Sequence, residues 1–224
     1  MYNNVISKVR TGEVRLSYCH LLEPVKPKDR PNADPKYNCV LLIPKTDAQT
    51  MANIRSTIEA TARAALATKF GGVMPPDIYS CIHDGDGVKP NTGRPYGDEA
   101  KGHWVLNASS GQKPGVVKQT GVNSQGKPVF VDVPPQEIYS GMYGEVILNF
   151  FPYTNGRIGI GCGLNNILKT RDGAPLSGGA SADEDFGGVM AGSEAANDFA
   201  GNGGMATQPV MRRDPVTGKP IPVT

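Results

Sequence analysis

The chain has 224 residues, 38% hydrophobic and 20% charged, with 28 Gly and 19 Pro and a formal net charge of +2. That length is enough for one domain with a sizeable core and a tail, and the glycine and proline content excludes a helical bundle in favour of a turn-rich, mainly β protein. No apolar run approaches the ~20 residues that cross a bilayer, so a soluble protein with no membrane partner is expected. The cysteines at 19, 39, 81 and 162 have no paired spacing and no secretory signal accompanies them, which points to reduced thiols in a cytoplasmic setting.

Charge is unevenly divided. Residues 1–172 carry 20 Lys and Arg against 15 Asp and Glu, residues 173–209 carry none against 5, and the last fifteen carry 3 against 1. A basic body at 1–172 followed by a Gly/Ala-rich, acidic, flexible tail at 173–224 is the expected domain organisation, because 9 Gly and 8 Ala between 173 and 209 leave too little apolar surface to offset chain entropy. Such a tail can compete with a polyanion for the body's surface, or it can serve only as a solubilising segment.

In chain order, the first strand is predicted at Glu13 to Leu22, with Val14, Leu16 and Tyr18 on one face and Arg15, Ser17 and Cys19 on the other. A polar segment with four prolines follows from Glu23 to Lys36, a loop made basic by Lys26, Lys28 and Arg30. Strand two is Tyr37 to Ile43, apolar enough to be buried on both faces, and Pro44 ends it. Thr46 or Asp47 then caps an amphipathic helix reaching about Phe70, with Met51, Ile54, Ile58, Ala62, Ala65 and Leu66 at three- and four-residue steps; Gly71 and Gly72 stop it. Its polar face, with Arg55, Glu59 and Arg63, reads as solvated surface.

Residues 71–102 lack periodicity and form a long excursion in which Tyr79 and Tyr96 mix with Arg94 and Lys101. Cys81, His83, Asp84 and Asp86 also fall there, but their spacing fits neither a zinc motif nor a calcium loop, so no metal or cofactor is expected. The next strand, His103 to Ser110, sets Trp104, Leu106 and Ala108 on one face. Trp104 fits either the core or a stacking surface. Gly111 to Pro135 reads as a hairpin turning at Asn123 to Gly126, decorated by Lys113, Lys118 and Lys127.

The organising stretch is Tyr139 to Asp172, two strands joined at Thr154-Asn155-Gly156. Val146, Leu148 and Phe150 alternate with Tyr143, Glu145, Ile147, Asn149, Phe151 and Tyr153. In the return strand Ile158, Ile160, Cys162 and Leu164 alternate with Arg157, Gly159, Gly161 and Gly163. Interior glycines suggest a close approach to the backbone, and rings beside a cation suggest a platform for bases. Burial of both faces, with Tyr143, Phe151 and Tyr153 as packing residues, fits the alternation equally well.

The run IGCGLNNILKTRDGAPLSGGASADEDF, with YSGMYGEVILNFF before it and RLSY at 15–18, LLIPK at 41–45, DGD at 84–86 and LNASS at 106–110 in order, resembles a family of bacteriophage single-stranded DNA-binding proteins, some formerly counted as a domain of unknown function. The similarity runs from about Val9 to Phe186. It implies an OB-type barrel that coats single-stranded DNA, and it does not identify the residues that touch DNA. Two departures are His83, where a Lys or Arg more often precedes DGD, and the continuation past ADEDF to a basic end.

The expected fold is therefore an OB-fold-like barrel with one amphipathic helix after the second strand and long loop insertions. The expected function is coating of single-stranded DNA, with little sequence preference, during phage replication or recombination in the cytoplasm of the infected bacterial host. Stacking candidates are Tyr96, Trp104, Tyr143, Phe151 and Tyr153; phosphate candidates are Arg15, Lys101, Lys113 and Arg157. Duplex DNA is expected to be a weak second partner. In the tail, Asp183, Glu184, Asp185 and Phe186 form an acidic-aromatic segment suited to recruiting replication or recombination proteins. Three histidines, no nucleophile with a paired base and no phosphate-cradling loop argue against an enzyme. A non-enzymatic structural or interaction protein of a phage is the alternative.

Overall fold

The computed structural model describes residues 8–26, 32–155, 157–176, 211–213 and 220–222. The chain divides into two compact units, Met1–Gly178 and Gly179–Thr224. The first contains β1 (Lys8–Arg10), β2 (Val14–Val25), β3 (Lys36–Pro44), α1 (Ala48–Ala65), β4 (Ile82–Asp84), β5 (His103–Ser110), β6 (Gly115–Val122), β7 (Pro128–Asp132), β8 (Tyr143–Tyr153) and β9 (Gly159–Arg171). In the second unit β10 (Met211–Arg213) pairs antiparallel with β11 (Pro220–Pro222).

One nine-stranded sheet runs β1-β8-β2-β3-β5-β9-β6-β7, with β4 on β5, and an additional β8–β9 pairing closes it on itself. The closed ring is β8, β2, β3, β5 and β9. All its pairings are antiparallel except β5 with β9, which meet parallel at Ser109 and Gly163. The mainly β, OB-like reading of the sequence holds.

Alternation explains how the ring fills. Val146, Leu148 and Phe150 of β8 point inward beside Cys39, Leu41 and Ile43 of β3, Leu106 and Ala108 of β5, and Ile160, Cys162 and Leu164 of β9, all buried. The opposite residues of β8 stay half-buried or exposed, so the outward face of this hairpin is not a second core. A smaller apolar cluster, Leu42, Ala100 and Val105 with Val40, Tyr96 and Leu176 against it, lies on the outer side of β3 and β5. Leu42 is buried there while its neighbours Leu41 and Ile43 are buried inside, which is why β3 reads as a continuous apolar run.

Helix α1 starts where Asp47 accepts a hydrogen bond from the Thr50 N–H at 3.0 Å, a cap that contributes about 1 kcal/mol. Met51, Ile54, Ala62 and Ala65 are buried against the core, with Ile58 and Leu66 packed at its margin. The helix ends at Ala65, five residues short of the Phe70 expected from its apolar steps. The Lys69 and Phe70 N–H groups both turn back onto the Ala65 carbonyl, at 2.8 and 3.0 Å, the second in a wider turn than the α-helix makes, and Phe70 is buried in the core. Gly71 and Gly72 follow with φ of 66° and 85°.

A second correction falls in β2. Alternation sets Tyr18 on the same face as Val14 and Leu16, which are both buried, yet Tyr18 is 59% exposed and has φ of 48°. The register between β2 and β3 shifts between Ser17 and His20. An extra residue in one strand of an antiparallel pair breaks the alternation, and the bulge turns the ring outward.

Candidate nucleic-acid interface

Counting round the ring, β2, β3, β5, β8 and β9 occupy the five strand positions of an OB fold, in which the face of the second and third strands and the loops after the first and fourth strands hold oligonucleotides. Here that face is the outer side of β3 and β5, and those loops are the connections from β2 to β3 and from β8 to β9.

A cleft of about 290 Å³ opens on this face. Its floor is Val40, Leu42 and Val105, and Tyr79, Tyr96 and His83 stand around it with Tyr18 and Lys89. Burial pushes the Tyr96 hydroxyl above its ordinary pKa, with Tyr79 nearby adding to the effect. Burial likewise lowers His83, which therefore sits neutral at pH 7. The Lys89 Nζ lies 5.6 Å from the centre of the Tyr96 ring.

The cleft continues toward the β8–β9 turn through Tyr79. Its N–H donates to the Ile158 carbonyl at 3.0 Å and its carbonyl accepts from the Ile160 N–H at 3.2 Å, so Tyr79 bridges to Gly159 like one residue of an added strand. The Arg157 guanidinium lies 5.4 Å over its ring, and the His83 ring is 5.8 Å away. On β8, Tyr153 and Phe151 face Gly159 and Gly161 directly in the register. A Cβ on Gly161 would meet the Phe151 ring at 2.7 Å, and one on Gly159 would meet the Tyr153 hydroxyl at 2.5 Å.

The glycines of β9 thus admit the protein's own side chains. The close approach expected of a ligand is made by Tyr153 and Phe151, and by Asn149 at Gly163. A ring seated on a glycine backbone shields that backbone from solvent. Phe151 is 41% exposed in this position.

The candidates divide by location. Tyr96, Phe151, Tyr153 and Arg157 fall along the path just described. Tyr143 lies at the far end of β8, about 26 Å of strand from Phe151. One face of its ring is covered by the Arg171 guanidinium at 3.4 Å, and Arg15 is 5.8 Å away, donating to the Ala174 carbonyl at 2.7 Å. Trp104 is on the inner parity of β5, half-buried against the core, with Arg55 at 5.0 Å and Lys45 at 5.1 Å from its ring centre. Arg55 is thereby more than a solvated helix residue. Lys101 is exposed and paired with Asp98 at 2.7 Å, and Lys113 is exposed in a separate hollow with Lys8 and Asn166.

Asp84 and Asp86 hold the Lys45 ammonium at 2.5 and 2.6 Å. Their carboxyls titrate below the ordinary range because of that hydrogen bond to Lys45, which is raised in turn. Among the described residues no cluster of His, Cys, Asp and Glu is arranged to hold a metal ion, and no helix is long and apolar enough to cross a membrane. Asp183, Glu184, Asp185, Phe186, Lys28 and Arg30 lie outside the described residues.

Tyr18, Tyr79, His83 and Lys89 are the members of the cleft that sequence reasoning left out of its candidates. Tyr79 is visible only as a ring in an aperiodic stretch, and nothing in the order of residues marks the bulge that exposes Tyr18.

A closed five-stranded ring with aromatic rings and cations along its outer face defines an oligonucleotide-binding type of fold. A family model described as the ssDNA-binding protein of Enterobacter phage Enc34 matches residues 7–200, and the chain belongs to that family. It resembles the solved single-stranded DNA-binding protein from bacteriophage Enc34 in complex with ssDNA, at 26% identity and TM-score 0.60, over 77% of this chain and 90% of that one. A second structure of the single-stranded DNA-binding protein from bacteriophage Enc34 is similar at 25% identity and TM-score 0.57, over 81% of this chain and 90% of that one. Protein p50 of Acyrthosiphon pisum secondary endosymbiont phage 1 is 26% identical over 187 residues, 78% of this chain and 89% of that protein.

Proposed function

We propose that this protein coats single-stranded DNA, without covalent chemistry and with little sequence preference, during phage DNA replication or recombination in the cytoplasm of the infected host. The observation that carries the proposal is the row of Phe151, Tyr153, Tyr79 and Tyr96 along one outer face, with Arg157 and Lys89 against the last two rings. Exposed ring faces stack on any base at about 1–3 kcal/mol each, while the cations neutralise phosphates and release counterions. Stacking needs unpaired bases, so single strands bind in preference to duplex, which meets only the electrostatic part. The family membership supports the same reading.

The acidic-aromatic segment Asp183 to Phe186 is proposed to recruit replication or recombination proteins. Fluorescence anisotropy of a labelled oligo-dT at two salt concentrations, with a duplex of equal length as competitor, tests the coating function. Tight, salt-sensitive binding that the duplex fails to displace is the expected result. Absence of binding to oligo-dT at low salt would sink it.

A further inference from the structure

We infer that the cleft on the outer face of β3 and β5 takes one nucleobase turned out of the strand, and that Tyr18 is the ring that closes over it. This rests on the single-stranded DNA reading above and divides the surface into two modes of contact. At Phe151 and Tyr153 the rings lie on glycine backbone, so a base can only rest on top of them. In the cleft the floor is apolar, Val40, Leu42 and Val105, and Tyr79 and Tyr96 are among its walls. Its volume of about 290 Å³ is at the lower end of pockets that enclose a small planar molecule, near ~300 Å³. It has room for one heterocycle and none for a stacked run. Asn107 and Asn91 at its edge each carry a donor and an acceptor, so they can meet the polar edge of any base.

Tyr18 is the independent observation. A non-glycine residue at φ of 48° is the only one of its kind among the described residues, and a bulky side chain rarely keeps that backbone without a reason. Core packing supplies none, because the ring is 59% exposed. What the bulge achieves is to move an aromatic ring from the core parity of β2 to the edge of the cleft, the kind of re-aiming bulges perform beside sites. Lys89, which also lines the cleft, is placed for the phosphate of the turned-out nucleotide.

Tyr18→Gly separates the two roles, since glycine accepts the positive φ and removes only the ring. The expected result is at least about a fivefold loss of oligo-dT affinity by anisotropy, with a melting temperature equal to or above that of the parent. In the unaltered full chain, photo-crosslinking to oligo-dT carrying 5-iodouracil, read by mass spectrometry, is expected to mark peptides containing Tyr18 or Tyr96 as well as Phe151. If Tyr18→Gly binds as tightly as the parent and crosslinks fall only within residues 143–161, the cleft is not a base pocket while the coating function stands. If the unaltered chain does not bind oligo-dT, the coating reading fails and this inference fails with it.

Discussion

At the scale of single residues, the outer hairpin couples two positions that look unrelated in sequence. Phe151 lies on Gly161 because no Cβ intervenes, and its ring is the flexible partner in that contact. Phe151→Ala is therefore expected to weaken oligo-dT binding by about 1–3 kcal/mol with little change in melting temperature. Gly161→Ala is expected to lose binding as well, by lifting the ring off the backbone, although residue 161 itself offers no side chain to DNA. Anisotropy titrations of both variants check this; unchanged affinity in both would move the platform elsewhere. His83 gives a pH-dependent counterpart. Burial holds its folded-state pKa below the ordinary value of 6.5, so as pH falls the unfolded chain takes up the proton first. Its contribution to stability is present above about pH 6.5 and is lost as pH descends through the depressed folded value. His83→Gln should flatten the acid side of the melting-temperature curve between about pH 7.5 and pH 5.5, and parallel curves for parent and variant would contradict it.

At the scale of elements, what could be read from sequence was whatever alternation or periodicity enforces. The core parity of β8 and β9, the parity of Trp104 in β5, the cap at Asp47 and the β6–β7 turn at Asn123 all follow from local pattern. What could not be read was set by contacts far apart in the chain. The excursion at 71–102 is aperiodic because its order comes from outside itself: Lys45 bonds Asp84 and Asp86, Gly102 donates to Asp86, and Tyr79 joins the start of β9. The Tyr18 bulge is hidden for the same reason, since it exists only in the register with β3. Gly85 tests how firmly this loop is anchored. Its N–H donates to the His103 carbonyl at 2.9 Å, and a Cβ there would sit 2.6 Å from that same oxygen and closer still to the Ala100 carbonyl. Both obstacles are backbone, so Gly85→Ala is expected to cost about 1–3 kcal/mol of stability, measured by urea unfolding. A variant as stable as the parent would mean that the loop slides without resistance.

At the scale of the whole molecule, the net charge of +2 conceals two opposed parts. Residues 179–224 hold six Asp and Glu against three Lys and Arg, so the unit Met1–Gly178 carries +5. This unit contains the closed ring, its core and the entire candidate interface, so a chain ending at Gly178 keeps every contact proposed for DNA. It lacks the second unit, in which the acidic segment outweighs the basic end, and the resulting net charge of −3 opposes the approach of a polyanion. Removing that unit is expected to raise oligo-dT affinity at low salt by about threefold or more. The gain should shrink as salt rises, because at about 1 M the screening length is only ~3 Å and charges outside direct contact no longer act on the strand. Anisotropy titrations of both chains across a salt series separate this from a change in the interface. An interface change would displace the two lines of log affinity against log salt by the same amount throughout, whereas the electrostatic account requires them to converge. Coincident lines at every salt concentration would assign the second unit no part in DNA binding.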